Sequence, residues 1–225
     1  MRRLIATAAL LVASASVQAQ QSAALQPQQN PEVLKYAVNR KGEQIGTHVF
    51  EFRRNGPETS VSFQTKVEVK VLFITAYRFE QSGSERWVNG KFVSMKTTTD
   101  DNGTPHKLDV AVKGTGLMVE ADGKSTQVDG SVIPASLWNT SLLRQSVALD
   151  TQKGNVMKMT IADVGVENVV VQGKPVKAHR YMIKSASTPD PKKTFDQEVW
   201  YDDKGNLVQA QFTGSDGSII SYQLL

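Results

Sequence analysis

The feature that most constrains the fold is a strict alternation of side chains in residues 61–71. Apolar residues or Thr occupy the odd positions, and polar or charged residues occupy the even ones. Successive side chains of a β-strand point to opposite faces, so this segment has one dry face and one wet face. Burial on one face only is typical of antiparallel sheets, because parallel sheets are covered on both faces.

Turn signals recur along the chain at intervals that suit hairpins. Examples are Asn89-Gly90, Asn102-Gly103 and Asp122-Gly123, which supply the positive φ angles of tight turns. About a dozen strand-like runs lie between such signals, and no alternating series of long helices separates them. The sequence predicts an all-β fold, a large antiparallel meander that forms a curved sheet or open half-barrel, in one domain covering residues 32–225.

One segment near the middle of the chain departs from the strand pattern. Pro134 stands where a helix could begin, and Leu137 or Trp138 precedes Leu142 at helical spacing. We expect a loop and one short helix here, near the middle of the mature chain, that covers the end of the curved sheet.

The N-terminus has the pattern of an export signal. Two arginines precede an apolar stretch from Leu4 to Val17, and Val17 and Ala19 are small residues at the positions that a signal peptidase recognises. We predict a signal peptide over residues 1–19, cleaved near Ala19, and a flexible Gln-rich leader over residues 20–31. The alternative is an N-terminal core helix. Export predicts a periplasmic or secreted protein, and no later segment is long and apolar enough to be a transmembrane helix.

Charge and cysteine content exclude several classes of protein. The formal charge of +4 falls to +2 once Arg2 and Arg3 leave with the signal peptide, and the remaining basic residues are interspersed with acidic ones. Nucleic-acid binding is therefore not expected, because it needs a concentrated basic face. The absence of cysteine excludes disulfides, thiolate metal sites and a lipidated N-terminal cysteine.

The candidates for catalysis are few. His48 and His179 occupy strand positions beside large apolar residues, but no pair of histidines has a metal-binding spacing. No nucleophile elbow and no phosphate-binding glycine loop occurs. We predict no metal and no cofactor, and the sequence favours a protein that is not an enzyme. A hydrolase acting on a cell-envelope polymer, with His48 or His179 paired to an Asp, stays open as the alternative.

Aromatic side chains are the better candidates for binding. Apolar concavities with a few polar groups are typical of small-molecule sites, although the same rings would also serve as an ordinary core. The predicted ligand-binding residues on the concave face are Trp138, Asn139, Trp87, Trp200, His48 and His179.

Four short motifs carry a resemblance to a family: residues 134–139 (Pro-Ala-Ser-Leu-Trp-Asn), 178–181 (Ala-His-Arg-Tyr), 200–205 (Trp-Tyr-Asp-x-x-Gly) and 216–222 (Asp-Gly-x-x-x-Ser-Tyr). With these motifs the chain resembles exported bacterial proteins known only as a domain of unknown function. The resemblance implies a periplasmic or secreted antiparallel β-domain, akin to the open barrels that carry lipids or lipoproteins. It brings no catalytic residues.

Three functions compete on this basis. The first is an exported, non-enzymatic β-protein that binds an apolar small molecule, a lipid or a segment of an envelope protein on its concave face. The second is the envelope hydrolase. The third is a purely structural or adhesive module, which requires a filled interior without a cavity.

Overall fold

The computed structural model describes residues 31–214 and 216–225, and the predicted signal peptide and nearly all of the predicted leader lie outside them. Fourteen strands form in the described residues. They are β1 (Glu32–Arg40), β2 (Glu43–Asn55), β3 (Glu58–Val71), β4 (Ile74–Val88), β5 (Lys91–Asp101), β6 (Thr104–Lys113), β7 (Gly116–Ala121), β8 (Lys124–Asp129), β9 (Val147–Leu149), β10 (Val156–Val171), β11 (Lys174–Ser187), β12 (Thr194–Tyr201), β13 (Leu207–Thr213) and β14 (Ile219–Leu224).

All fourteen strands belong to one antiparallel sheet made of two meanders. Across the sheet the strands follow in descending order from β8 to β1 and then from β14 to β9. The two meanders join where β1 pairs with β14, with Tyr36 opposite Leu224. In the described residues β8 and β9 are the edges and do not pair with each other, so the sheet is open. The predicted all-β antiparallel meander is confirmed, in its open form.

The predicted short helix is a single 3₁₀ turn, Thr140–Arg144. Its bonds run from the Leu142 N–H to the Asn139 carbonyl (3.0 Å) and from the Gln145 N–H to the Leu142 carbonyl (3.0 Å), which is i to i+3. Both flanking residues are extended, which limits the element to one turn. The helical spacing of Trp138 and Leu142 instead reflects packing, because both contact the same core. In the part of the chain that the structure covers, no helix has the length and apolarity to span a bilayer.

The central segment, residues 130–146, connects β8 to β9 and packs on the core. Most of the core forms two clusters, one around Phe50, Phe63 and Ile183 and the other around Trp87 and Met95. Trp138 packs against both clusters. The segment therefore joins the two core clusters, the first of which already contains residues of both meanders.

A smaller cluster lies on the opposite face of the sheet. Trp200 packs there with Ala178 and Val208, whereas its chain neighbours Val199 and Tyr201 belong to the first core cluster. Because side chains alternate along β12, the Trp200 indole points away from the face that carries the other two tryptophans.

Gly83 shapes the inner face of β4. It pairs with Phe63 on β3, and a Cβ at this position would lie 2.5 Å from Phe63 Cζ. The missing side chain gives the Phe63 ring the room to lie across the neighbouring strand.

Candidate ligand-binding groove

Two adjoining cavities open on the inner face of the sheet. The first, which we call the central cavity, has a volume of about 540 Å³, and the second, the mouth cavity, has about 490 Å³. Four aromatic side chains line both of them: Tyr77, Phe79, Phe212 and Tyr222. We call the pair of cavities the groove, since they share these four rings.

The walls of the groove are mainly apolar because the strands around it direct apolar side chains to the inner face of the sheet. The central cavity is lined by Phe50, Phe63, Met159, Ile183 and Leu207. All five also belong to the first core cluster. The groove is thus a part of the interior that the core side chains do not fill.

His48 lies in the wall of the central cavity. Its Nδ1 is 2.7 Å from the Thr65 hydroxyl oxygen, and its ring meets Phe50 edge-on at 4.3 Å and Tyr222 at 5.8 Å between centroids. Burial lowers the pKa of His48 to about 4, because these surroundings disfavour the charged form. At neutral pH the groove therefore presents an uncharged imidazole whose second ring nitrogen can form one hydrogen bond.

Polar groups at one side of the central cavity form hydrogen bonds with each other. The Tyr77 hydroxyl donates to Asp101 at 2.9 Å, the Gln152 amide donates to Asp101 at 3.2 Å, and the Gln81 amide donates to the Thr151 carbonyl at 3.2 Å. These bonds hold the loop between β9 and β10 against β4 and β5. All five residues line the central cavity.

The mouth cavity ends at an ion pair. The Arg40 guanidinium contacts the Asp216 carboxylate, and its Nε donates to the Ser218 hydroxyl at 3.0 Å. Hydrogen bonds from Ser218 first, and then from Arg40, hold the pKa of Asp216 well below its usual range. The apolar groove therefore opens beside a carboxylate that stays ionised at neutral pH.

A buried carboxyl group that the sequence analysis missed anchors the central segment. Glu85 is 2% exposed and accepts hydrogen bonds from the indole nitrogens of Trp87 (2.8 Å) and Trp138 (3.2 Å), while the Ser136 hydroxyl bonds to its other oxygen. Burial raises the pKa of Glu85. The sequence does contain one signal for this role of Glu85. Glu85 stands two residues before Trp87, so that both side chains lie on the same inner face of β4.

The two predicted site residues Trp87 and Trp138 thus lie in this anchor. Their rings meet edge-on at 5.5 Å, and neither is among the residues that line the groove. Asn139 begins the 3₁₀ turn, where its side-chain oxygen accepts a hydrogen bond from the Ser141 N–H at 2.9 Å. The ligand-binding role of these three residues stays a prediction.

Trp200 and His179 also lie outside the groove lining. The Arg180 guanidinium covers the Trp200 ring at 5.2 Å from its centroid on the opposite face of the sheet. His179 stacks on Tyr181 at 4.7 Å and bonds to Asp163. Of the six predicted residues, the structure brings only His48 to the groove. Within residues 31–214 and 216–225, no group of three or more potential ligands could hold a metal ion.

Fold and groove together define a class, the barrel-like open antiparallel sheets with an apolar cavity on the inner face. Residues 36–225 match the family model described as "Domain of unknown function (DUF6134)", and the chain belongs to this family. The membership in a domain-of-unknown-function family that the motifs predicted is confirmed. No curated protein matches the chain.

Solved structures bear on the fold alone. The chain is similar to the beta-barrel-like protein of domain of unknown function DUF1849 from Brucella abortus, with 12% identity over 87% of this chain and 96% of that one, at a TM-score of 0.63. The hypothetical lipoprotein YmcC from Escherichia coli (K12) aligns with 12% identity over 88% of this chain and 85% of that one, at a TM-score of 0.35, which is too low to support an argument.

Proposed function

We propose that this protein is an exported, non-enzymatic binding protein that holds an elongated apolar molecule, such as a lipid acyl chain, in the groove. The observation that carries the proposal is the pair of adjoining cavities with four aromatic walls in common. Each volume lies in the range of small-molecule sites. The export part of the proposal rests on the basic and apolar pattern of residues 1–19.

The few polar groups of the groove fit the polar end of such a molecule. His48 offers one uncharged hydrogen-bonding nitrogen in the central cavity, beside Thr65. Arg40 and Asp216 line the mouth cavity. An apolar chain would contact the aromatic rings shared by the two cavities, while its polar head meets either His48 or the ion pair.

Two observations favour binding over the envelope hydrolase. In the part of the chain that the structure describes, the hydrogen-bond partner of His48 is the Thr65 hydroxyl and not a carboxylate. His179 does have a carboxylate partner, Asp163, but it lies outside the groove lining. A purely structural module is disfavoured by the unfilled volume of the interior.

The test is to express the full chain, purify the protein as the cell processes it, and search an organic extract for bound lipid by mass spectrometry. Titration with a fluorescent fatty acid then measures affinity. Met157→Trp places a large ring into the central cavity from its wall, and we expect about tenfold weaker binding. Val164→Trp is the matched control, because Val164 is an exposed residue of the same strand that does not line the groove.

A protein that yields no lipid and does not bind the probe would disprove the proposal. Equal loss of affinity in Met157→Trp and Val164→Trp would also count against it, since the effect would then not come from filling the groove. Hydrolysis of an envelope polymer that is lost in His48→Gln would favour the hydrolase instead.

A further inference from the structure

The hairpin that joins β3 to β4 ends in four consecutive apolar residues, Val71 to Ile74, which we call the tip. Phe73 is 99% exposed and Leu72 is 86% exposed, and Val71 and Ile74 are also exposed. Single exposed apolar residues are ordinary, but a contiguous apolar projection on a soluble surface marks an interaction site.

The backbone of the tip is unfavourable for the residues that occupy it. Leu72 and Phe73 have φ angles of +49° and +68°, in the left-handed region that costs a non-glycine residue free energy. Other turns with two consecutive positive φ angles have Gly in the second position: Lys41-Gly42, Asn89-Gly90, Asn102-Gly103, Asp122-Gly123 and Gln172-Gly173. Sequences depart from such local rules mainly at functional sites.

The hairpin that carries the tip separates from the strands on either side of it. Pairing between β2 and β3 ends at Val67, and pairing between β4 and β5 begins at Phe79. The last four residues of β3 therefore pair only with β4, over a length of about 13 Å at about 3.3 Å per residue. Val71 pairs with Ile74 across the turn, so these backbone groups find their partners within the hairpin.

We propose that the tip inserts into the interfacial region of a lipid bilayer. An apolar environment demands that backbone polar groups be satisfied internally, and the pairing of Val71 with Ile74 does this on both sides of the turn. Insertion of a few apolar side chains to the boundary of the acyl chains requires no complementary pocket. A stable protein interface buries on the order of 1,000 Å² or more, which a convex four-residue projection does not offer.

The charges behind the tip cancel. Lys70 bonds to Glu68 at 3.1 Å, and Arg78 bonds to Glu80 at 2.8 Å. An acidic or basic partner therefore finds no net complementary charge here. Binding should occur on zwitterionic phosphatidylcholine, which has no net charge, and should depend little on salt, because screening by salt acts on net charges.

An apolar path runs from the tip to the groove. Val67, Val69 and Val71 alternate along β3 and line the mouth cavity, and Tyr77 on β4 lines both cavities. Docking of the tip would place the opening of the groove at the membrane surface. The inference goes beyond ligand binding and is tested independently of it.

The test compares binding of the wild-type protein and of the double variant Leu72→Asn with Phe73→Gly to phosphatidylcholine vesicles by co-sedimentation. The full chain is expressed in each case, so both proteins carry the same N-terminus. Removing two exposed apolar side chains should lower partitioning at least tenfold. Val170→Ser is the control, because Val170 is 66% exposed on β10, far along the sheet order from the tip, and it should bind like wild type.

A second measurement uses Phe73→Trp, whose emission should shift to the blue when vesicles are added. The inference is overturned if wild type does not sediment with vesicles, or if the double variant sediments equally well. Loss of self-association in the double variant, without loss of vesicle binding, would instead assign the tip to a second copy of the chain. Unchanged fatty-acid affinity in the double variant, and unchanged vesicle binding in Met157→Trp, would support separate sites for the two properties.

Discussion

The indole nitrogen of Trp138 donates a hydrogen bond to the carboxyl group of Glu85 across 3.2 Å. This bond ties the central segment to strand β4, which lies about fifty residues earlier in the chain. Trp87 donates to the same oxygen at 2.8 Å. One buried carboxyl group therefore organises two tryptophans and fixes the segment that covers the core.

Replacement of this carboxyl group should destabilise the fold. Glu85→Ala removes the acceptor of the indole N–H groups of the buried Trp87 and the half-buried Trp138, and we expect the free energy of unfolding to fall by on the order of 3 kcal/mol. Urea denaturation followed by tryptophan fluorescence measures the loss. Glu80→Ala on the same strand is the control, because the exposed Glu80–Arg78 pair contributes little. A fall of the same size in both variants would contradict the anchoring role.

The same group should make stability depend on pH. Because burial raises the pKa of Glu85 above the ordinary value of 4.5, the folded state holds the proton more tightly than the unfolded state. Stability from this group is complete below about pH 4.5 and is lost as the pH rises through the folded pKa. Glu85→Gln, a neutral isostere, should lack this loss. Urea titrations from acid to neutral pH that give parallel curves for wild type and Glu85→Gln would refute the assignment.

His48 should contribute a pH dependence of the opposite sign. Its pKa falls from 6.5 in the unfolded chain to about 4 in the folded protein, so the unfolded state binds more protons between these values. Stability is therefore present above about pH 6.5 and is lost as the pH falls towards 4, by about 2–3 kcal/mol.

His48→Gln removes this titration while keeping a hydrogen-bonding side chain beside Thr65. Its unfolding free energy should change less than that of wild type between pH 6.5 and 4. Fatty-acid binding measured over the same range adds a second readout, since a charged imidazole in the central cavity would disfavour an apolar ligand. If the unfolding free energies of wild type and His48→Gln depend equally on pH, His48 is not the source of the loss of stability in acid.

The tip offers a prediction on stability that is separate from membrane binding. Leu72→Asn with Phe73→Gly provides the residues that a turn with two positive φ angles prefers, and the lost side chains are exposed. We expect the free energy of unfolding to rise by about 1 kcal/mol. The reciprocal change at another tight turn, Asn89→Leu with Gly90→Phe, should lower it. An unaltered or reduced stability of the tip variant would show that its backbone is not strained.

Much of the fold followed from local patterns. The alternation in residues 61–71 predicted a strand with one dry face, and β3 (Glu58–Val71) buries Val61, Phe63 and Thr65 as that pattern requires. The same alternation did not reveal that Val71 is exposed, because the end of β3 has no neighbour but β4. Burial of an inward-facing residue depends on how far the adjacent strands extend.

The site was harder to predict from the sequence. His48 could be nominated because it stands among large apolar residues on one strand. The sequence offers Trp200 as a candidate on the same face as the other tryptophans, but its alternation with Val199 and Tyr201 turns it to the opposite face. Glu85 went unnoticed, since a carboxylate in a strand is normally solvated and its partners in the central segment are remote in sequence.

By itself, the sequence determined the all-β class, the positions of the tight turns that contain Gly and the dry and wet faces of strands such as β3, because these depend on neighbours a few residues apart. Only the tertiary structure decided that the two meanders join through β1 and β14, that the sheet stays open and that a groove remains beneath the central segment. Those features depend on contacts between residues far apart in the chain, which local alternation does not specify.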